Sequence, residues 1–223
     1  MLDQIEEEKY RLLKDKCREM KVLPPTDIFI GLQVHDKGKL IFDDVQRGHS
    51  WTRNYWNAIF AHVSNCSIVD SSFGAGYISC KNPAGAFTYQ ENTLVIQGLI
   101  MTGSANIING IVVGTGTSAF DVEQYALDAL IGSGNSAGKL YYNASAVSST
   151  TYAAKAWTIV GSRIFNNNSG GSIVVAETGL YSAQGWSIYW LFERSVLGAA
   201  VTVPDAAQLT VTYTIVDDFS AID

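Results

Sequence analysis

The first hydrophobic pattern along the chain has a helical period and covers residues 3–21. Acidic residues come at its start and basic residues at its end, which complements a helix dipole. Neither glycine nor proline interrupts it, and Pro24 and Pro25 follow as a stop and a stiff spacer. The pattern therefore predicts one helix, whose apolar residues include Ile5, Tyr10, Leu13, Cys17 and Met20.

One narrow apolar stripe does not stabilise a short helix in water, so this helix must lie on something. Two interpretations stay open. The helix packs on its own body, or it is an arm that docks on a neighbouring molecule. We take the five apolar residues above as candidate interface residues under the second interpretation.

Most of the remaining chain alternates with a period of two. Ile28–Val34 and Lys39–Val45 are predicted to form a hairpin through His35–Gly38. Gln208–Val216 alternates apolar residues with threonine, as half-buried antiparallel strands do. Further predicted strands are Ser67–Asp70, Tyr77–Cys80, Ala86–Tyr89, Thr93–Met101, Tyr152–Phe165, Ser172–Ala176 and Trp186–Glu193.

Two further helices are predicted. Ser50 is a candidate cap for a helix from Trp51 to about Val63, in which Trp51 and Tyr55 belong to an apolar face suited to core or interface packing. The stretch 107–142 reads as strand, glycine turn, helix over Asp121–Ile131, glycine loop and strand.

About ten short strands with regular turn signals favour one fold class: mainly β, an antiparallel β-sandwich of jelly-roll type. An N-terminal helical arm and one or two short helices complete it. The predicted organisation is an arm and proline linker over residues 1–26, a β-sandwich body over 27–216 and an acidic tail over 217–223.

The low fraction of charged residues favours a role in protein assembly. Charged residues make up only 16% of the 223 residues, which favours burial between proteins and hence a homo-oligomer. The net charge of −6 gives a nucleic-acid partner no support, and no apolar run reaches the length of a membrane span. Three widely spaced cysteines fit neither a disulfide framework nor a zinc site.

Candidate chemistry is sparse. Gly134–Gly138 matches GxSxG but lacks the strand-to-helix setting of a nucleophile elbow, and Gly114–Ser118 lacks a Walker lysine. The three histidines form no metal-binding set, and the pairs Asp43–Asp44 and Asp217–Asp218 read as solvated acids. We expect no enzyme activity, catalytic residue, metal or cofactor.

The residues of the β-body carry a family resemblance. Gly110–Thr117, Phe120–Leu127, Gly138–Tyr142, Phe165–Tyr181 and Leu209–Ile215 resemble a pattern seen in structural proteins of tailed bacteriophages. The resemblance covers roughly residues 45–216. It implies a virion protein made in the host bacterial cytoplasm, with itself and other virion proteins as partners, and it carries over no catalytic residue.

We therefore expect a non-enzymatic virion protein of the tail, neck or fibre-attachment region. A capsid decoration protein is one alternative. A carbohydrate-binding module for host-surface glycan is another, and it predicts an exposed aromatic row among Trp186, Tyr189 and Trp190 or Tyr141, Tyr142 and Tyr152. A hydrolase predicts a cleft that holds two of Glu91, Glu177 and Glu193.

Overall fold

The computed structural model describes residues 4–48, 50–64, 80–88, 99–184 and 188–220. The described chain is mainly β, and its sheets are antiparallel. Two helices are present in it, α1 (Gln4–Met20) and α2 (Arg53–Ser64). The strands are β1 (Asp27–Asp36), β2 (Lys39–Arg47), β3 (Ser50–Trp51), β4 (Cys80–Lys81), β5 (Phe87–Thr88), β6 (Gly110–Gly114), β7 (Tyr141–Tyr142), β8 (Ala146–Ala153), β9 (Ala156–Asn166), β10 (Ile173–Gln184), β11 (Ile188–Val203) and β12 (Gln208–Asp218).

A six-stranded sheet has the order β2-β1-β12-β9-β7, with β8 also paired to β9. Strand β12 is central and pairs along its length with both β1 and β9. Its alternation places Leu209, Val211 and Tyr213 inside and the threonines between them on the other face. The predicted hairpin of β1 and β2 is confirmed, and its turn at Lys37 and Gly38 has positive φ at both residues.

A four-stranded sheet has the order β3-β11-β10-β6. Its buried residues share one core with those of the six-stranded sheet. Hydrogen bonds also join the two sheets: the Tyr142 hydroxyl of β7 donates to Val113 of β6, and Arg163 of β9 donates to Ile111 of β6. The short pair β4-β5 forms a third sheet around the predicted turn, where Asn82 Oδ1 accepts bonds from two backbone amides.

The predicted helix over Asp121–Ile131 is wrong. This segment forms turns and an isolated bridge between Leu130 and Gly114. Its amides donate to side chains distant in sequence instead of to carbonyls one turn earlier: Leu127 N–H donates to the Tyr181 hydroxyl, and Ala129 N–H donates to Glu177. The local helical signal is therefore overridden by tertiary hydrogen bonds.

The prediction of one strand over Tyr152–Phe165 is also wrong, because a turn at Ala154 and Lys155 splits it into β8 and β9. Both turn residues have positive φ, 50° and 63°, without the glycine or asparagine that usually signals such a turn. The second helix begins at Arg53 instead of Trp51, because Ser50 and Trp51 pair with β11.

Other predicted strands differ in length. The strands predicted over Ser172–Ala176 and Trp186–Glu193 are much longer as β10 and β11. The predicted acidic tail is strand at its start, since Asp217 and Asp218 pair with β9. Leu99–Met101, the described end of the predicted Thr93–Met101, is not strand. Predictions at 65–79, 89–98, 185–187 and 221–223 lie outside the described residues.

Candidate functional site

The structure separates the carboxylates that a hydrolase would bring together. Glu177 of β10 and Glu193 of β11 point to opposite faces of the four-stranded sheet, because Leu180 is the residue that pairs with Glu193. Both carboxyl side chains are fully buried. The third candidate, Glu91, lies outside the described residues. The two described candidates therefore share no cleft.

Glu177 is the centre of an ionic cluster, which we call the Glu177 cluster and define as the buried pair Glu177 and Arg194 together with the exposed Asp128. Arg194 Nε donates to Glu177 Oε2 at 2.6 Å, and Arg194 Nη2 donates to Asp128 Oδ2 at 2.8 Å. Glu177 Oε1 also accepts the amides of Gly116 at 3.0 Å and Ala129 at 2.9 Å. The cluster therefore fastens the segment 115–131 to the outer face of the sheet.

Two glycines make this approach possible. Gly114 pairs with Glu177 across β6 and β10. A Cβ atom at Gly114 would lie 2.6 Å from the Ala129 carbonyl oxygen and would collide with the Glu177 carboxylate. A Cβ atom at Gly116 would collide with Glu177 and Asp128. The glycine pattern that resembles a phosphate loop thus serves close packing on a carboxylate of the same chain.

Glu193 faces the core between the two sheets. Its Oε2 accepts a hydrogen bond from the Tyr213 hydroxyl at 2.7 Å, and its Oε1 accepts one from Ser195 Oγ. The Tyr213 hydroxyl also contacts the Thr178 hydroxyl. Burial raises the pKa of Glu193 to about 7, and the hydroxyl donors and Arg194 oppose this rise only in part.

Arg163 is a further buried charge. Its guanidinium donates to the carbonyls of Asn143, Ile111 and Gly103 at 2.8, 2.9 and 3.1 Å. Burial lowers its pKa to about 10. The hydrogen bonds of Arg163, like those of Glu177 and Glu193, go to groups of the same chain. These three buried residues therefore hold loops and sheets together.

The interface candidates on α1 divide between two sides of the helix. Tyr10 and Cys17 face the body: the Tyr10 ring lies under the Arg47 guanidinium at 3.8 Å, and Cys17 is buried. Leu13 and Met20 face away, and so does Leu12; their exposed fractions are 43%, 63% and 53%. We call Leu12, Leu13 and Met20 the α1 flank. The side chain of Ile5 lies outside the described residues.

Ion pairs hold the other side of α1 on its own body. Arg47 of β2 binds Glu7 of α1 and Asp27 of β1, and Lys14 of α1 also binds Asp27. The Arg47 hydrogen bond lowers the pKa of Glu7. Beside these residues lies a groove of about 460 Å³ that Arg11 and Arg18 also line. The described contacts of the helix with its body are therefore largely polar.

The aromatic candidate Trp51 of β3 is a core residue, and the candidate Tyr55 of α2 is partly buried against the core. Trp51 is buried and stacks on Tyr55, with ring centroids 4.1 Å apart, and Tyr55 meets Phe192 edge to face. Trp56 and Phe60, one helical turn apart, are the exposed rings of this helix. The sequence placed all of these rings on one broad face, because it could not show which side meets the sheet.

The glycan-binding alternative predicts an exposed row of rings. Trp190 and Tyr142 are buried, and Tyr141 and Tyr189 are half-buried. Tyr152 is exposed and contacts Trp157, which the sequence did not single out, with ring centroids 5.3 Å apart. Trp186 lies outside the described residues. The described rings form one exposed pair at the end of the β8–β9 hairpin.

Metal-binding groups remain scattered in the described part of the chain, which contains no cluster of three or more histidine, cysteine or acidic residues. Asp43 accepts a bond from Gln33, and Asp217 accepts one from Thr26. Among the described residues, no helix is long and apolar enough to cross a membrane.

Comparisons of this chain with protein-family models, curated proteins and solved structures give no significant match.

Proposed function

We propose that this chain is a non-enzymatic structural protein of a tailed-phage virion, with the tail, neck or fibre-attachment region as its place. In this proposal the two sheets form a β-sandwich of jelly-roll type, and α1 is an N-terminal arm that docks on a neighbouring virion protein. The sequence pattern over 110–181 supports the family, and the distribution of charge in the fold supports the role.

The orientation of α1 carries the proposal. A helix on the surface of a lone protein ordinarily turns its apolar side inwards and its charges outwards. Here Glu7 and Lys14 form ion pairs with the body, whereas the α1 flank of Leu12, Leu13 and Met20 is exposed. Val22 and Leu23, directly after the helix, are exposed as well. Several exposed apolar side chains on one short segment favour a protein partner.

The faces of the six-stranded sheet fit the same role. The outward positions of its central strands carry hydroxyl and aliphatic side chains, among them Thr212, Ser162 and Ile164. Such uncharged surface can be desolvated in an assembly without burying unpaired charge. The same surface serves a capsid decoration protein, which stays the alternative within this class.

A carbohydrate-binding module has less support. It requires a platform of exposed rings, and Trp190 and Tyr142 are instead part of the core. The exposed pair of Tyr152 and Trp157 is tilted by 46° between ring planes, so the two rings do not form one flat stacking surface.

The proposal is tested by replacing the α1 flank in the phage that encodes the chain. We expect the triple variant L12Q/L13Q/M20Q to be largely lost from purified virions, measured by quantitative mass spectrometry, while the protein still folds. The matched control is K16Q/E19Q, which changes two exposed and mutually paired residues of the same helix. Wild-type incorporation of the triple variant would contradict the docking arm, and absence of the wild-type chain from virions would contradict the virion role.

A further inference from the structure

Strand β8 forms one edge of the six-stranded sheet, and its composition is unusual for an open edge. It runs Ala-Val-Ser-Ser-Thr-Thr-Tyr-Ala over Ala146–Ala153, with neither a charged residue nor a proline. Seven of its eight residues are exposed. In the described part of the chain, β9 is the strand that pairs with it, on one side only. An open row of backbone donors and acceptors is a template for another strand.

The opposite edge of the same sheet is protected. Strand β2 carries Lys39, Asp43, Asp44 and Arg47, and its register with β1 is broken by a bulge. The side chain of Gln46 also bonds to the backbone of β11 at Val196 and Gly198. Charges and bulges are the devices by which proteins keep strand edges from pairing. Among the described residues, one edge of the sheet is therefore blocked and the other has no strand paired on its outer side.

The β8 edge, which we define as Ser149–Ala153, is regular and preformed. A bulge at Ser148 precedes it, and from Ser149 onwards every residue pairs in register with β9. The two-residue turn at Ala154 and Lys155 is closed by the pair Ala153–Ala156. Since hydrogen-bonded pairs alternate along an antiparallel ladder, Thr150 and Tyr152 direct their N–H and C=O groups away from β9.

We propose that the β8 edge pairs in antiparallel orientation with the β8 edge of a second copy of this chain. A two-fold axis near Thr151 lets Thr150 and Tyr152 exchange backbone hydrogen bonds across the axis, and the two six-stranded sheets become continuous. This inference rests on the proposed assembly role and adds the surface and the partner through which copies associate.

The β8 edge carries no charge, and this identifies a second copy of the chain as the strand that pairs with it. In a two-fold pairing a strand meets itself, so any charge near the axis faces a like charge. The β8 edge avoids this repulsion because its residues are serine, threonine, tyrosine and alanine. Two-fold pairing also covers both open edges at once and leaves none to propagate.

The exposed rings of Tyr152 and Trp157 lie at the same place. Tyr152 pairs with Trp157 one residue pair before the hairpin turn, and the two residues are 58% and 46% exposed. Aromatic residues beside an open, uncharged strand are typical of surfaces that become buried between proteins. The two rings add apolar contact to the backbone pairing.

The test uses the full chain and measures its mass by light scattering after size exclusion. We expect the wild type to contain an even number of copies of 24.2 kDa. Thr150→Pro removes one outward N–H and leaves the bonds to β9 intact, and Thr150→Lys places like charges across the axis. We expect both variants to lose the β8 contact and to halve the number of copies. The matched control Val45→Lys adds the same charge on β2 and is expected to keep the wild-type mass.

A second measurement separates lost pairing from lost folding. Hydrogen exchange at Thr151 and Ala153, whose amides face β9, is expected to stay slow in Thr150→Lys, while exchange at Tyr152 becomes fast. Oligomers of unchanged mass in both Thr150 variants would overturn the β8 contact and leave the virion role standing. A wild-type monomer, or a β8 edge protected only by a different virion protein, would overturn self-pairing.

Discussion

The Glu177 cluster and the β8 edge treat charge in opposite ways. Around Glu177 the chain buries a carboxylate and a guanidinium and surrounds them with partners, whereas along β8 seven of eight consecutive uncharged residues are exposed. Burying ions costs free energy, and leaving an uncharged strand edge open invites association. The buried charges of this chain therefore contribute to its fold, and the proposed assembly role rests on surface that carries no charge.

Substitutions in these two regions should therefore have different effects. Substitutions in the buried clusters should change the free energy of unfolding and leave the number of copies unchanged at conditions where the chain is folded. Substitutions at the β8 edge should do the reverse, and substitutions at the α1 flank should lower incorporation into virions while both of these quantities stay unchanged.

Glu177→Gln is expected to have the largest effect. It leaves Arg194 buried with only Asp128 as a charged partner, and removal of one member of a buried ion pair costs about 3–5 kcal/mol. The free energy of unfolding from urea titrations measures this loss. The control is Glu123→Gln, whose carboxylate forms an exposed pair with Arg53 and should change stability by less than about 1 kcal/mol. Equal effects of the two variants would contradict a stabilising role for the buried cluster.

Glu193 should make stability depend on pH. Its folded pKa of about 7 lies above the value of 4.5 for an unperturbed carboxyl, so between these values the unfolded chain loses a proton that the folded chain keeps. Stability therefore falls as pH rises through this window, by on the order of 3 kcal/mol in total, and is unaffected below it.

Glu193→Gln removes this ionisation and still accepts the bond from Tyr213. We expect the difference in unfolding free energy between wild type and variant to change by that amount between acidic and mildly basic pH. Urea titrations at several pH values measure it, and a constant difference across this range would show that Glu193 ionises normally in the fold.

Gly114→Ala is expected to cost about 1–3 kcal/mol, because its Cβ would lie 2.6 Å from the Ala129 carbonyl oxygen. Gly198→Ala is the matched control in β11, since its nearest neighbour beyond the adjacent residues is 3.8 Å away. Thermal unfolding of both variants measures the difference. A neutral Gly114→Ala would mean that the segment 115–131 is not held tightly against the sheet.

Much of the fold could be predicted from the pattern of apolar residues. Strand β12 follows from its strict alternation, and α1 follows from its helical period and end charges. The turn at Ala154 and Lys155 could not be predicted, because neither residue type signals positive φ. The helix at 121–131 was predicted wrongly because its local pattern does not show tertiary contacts. Amides of this segment donate to Glu177 and Tyr181, which are distant in sequence.

The sequence contains a sign of buried ions at Glu177 and Arg194, which was not recognised as one. Glu177 stands in a run of apolar and small residues from Ile173 to Leu180, and Arg194 stands in the long apolar strand β11. A lone charge in the middle of such a strand needs a buried partner. The interface candidates were harder to place, because a helical stripe does not show which flank meets the body: Cys17 turned inwards and Met20 outwards.

The mass of the wild-type chain in solution is the most direct test of whether copies of this chain associate through the β8 edge. If the uncharged β8 edge binds a second copy, the 24.2 kDa chain forms an even-numbered oligomer that persists on dilution. A monomer at every concentration would contradict pairing between copies, because no other described strand covers the outer side of the β8 edge.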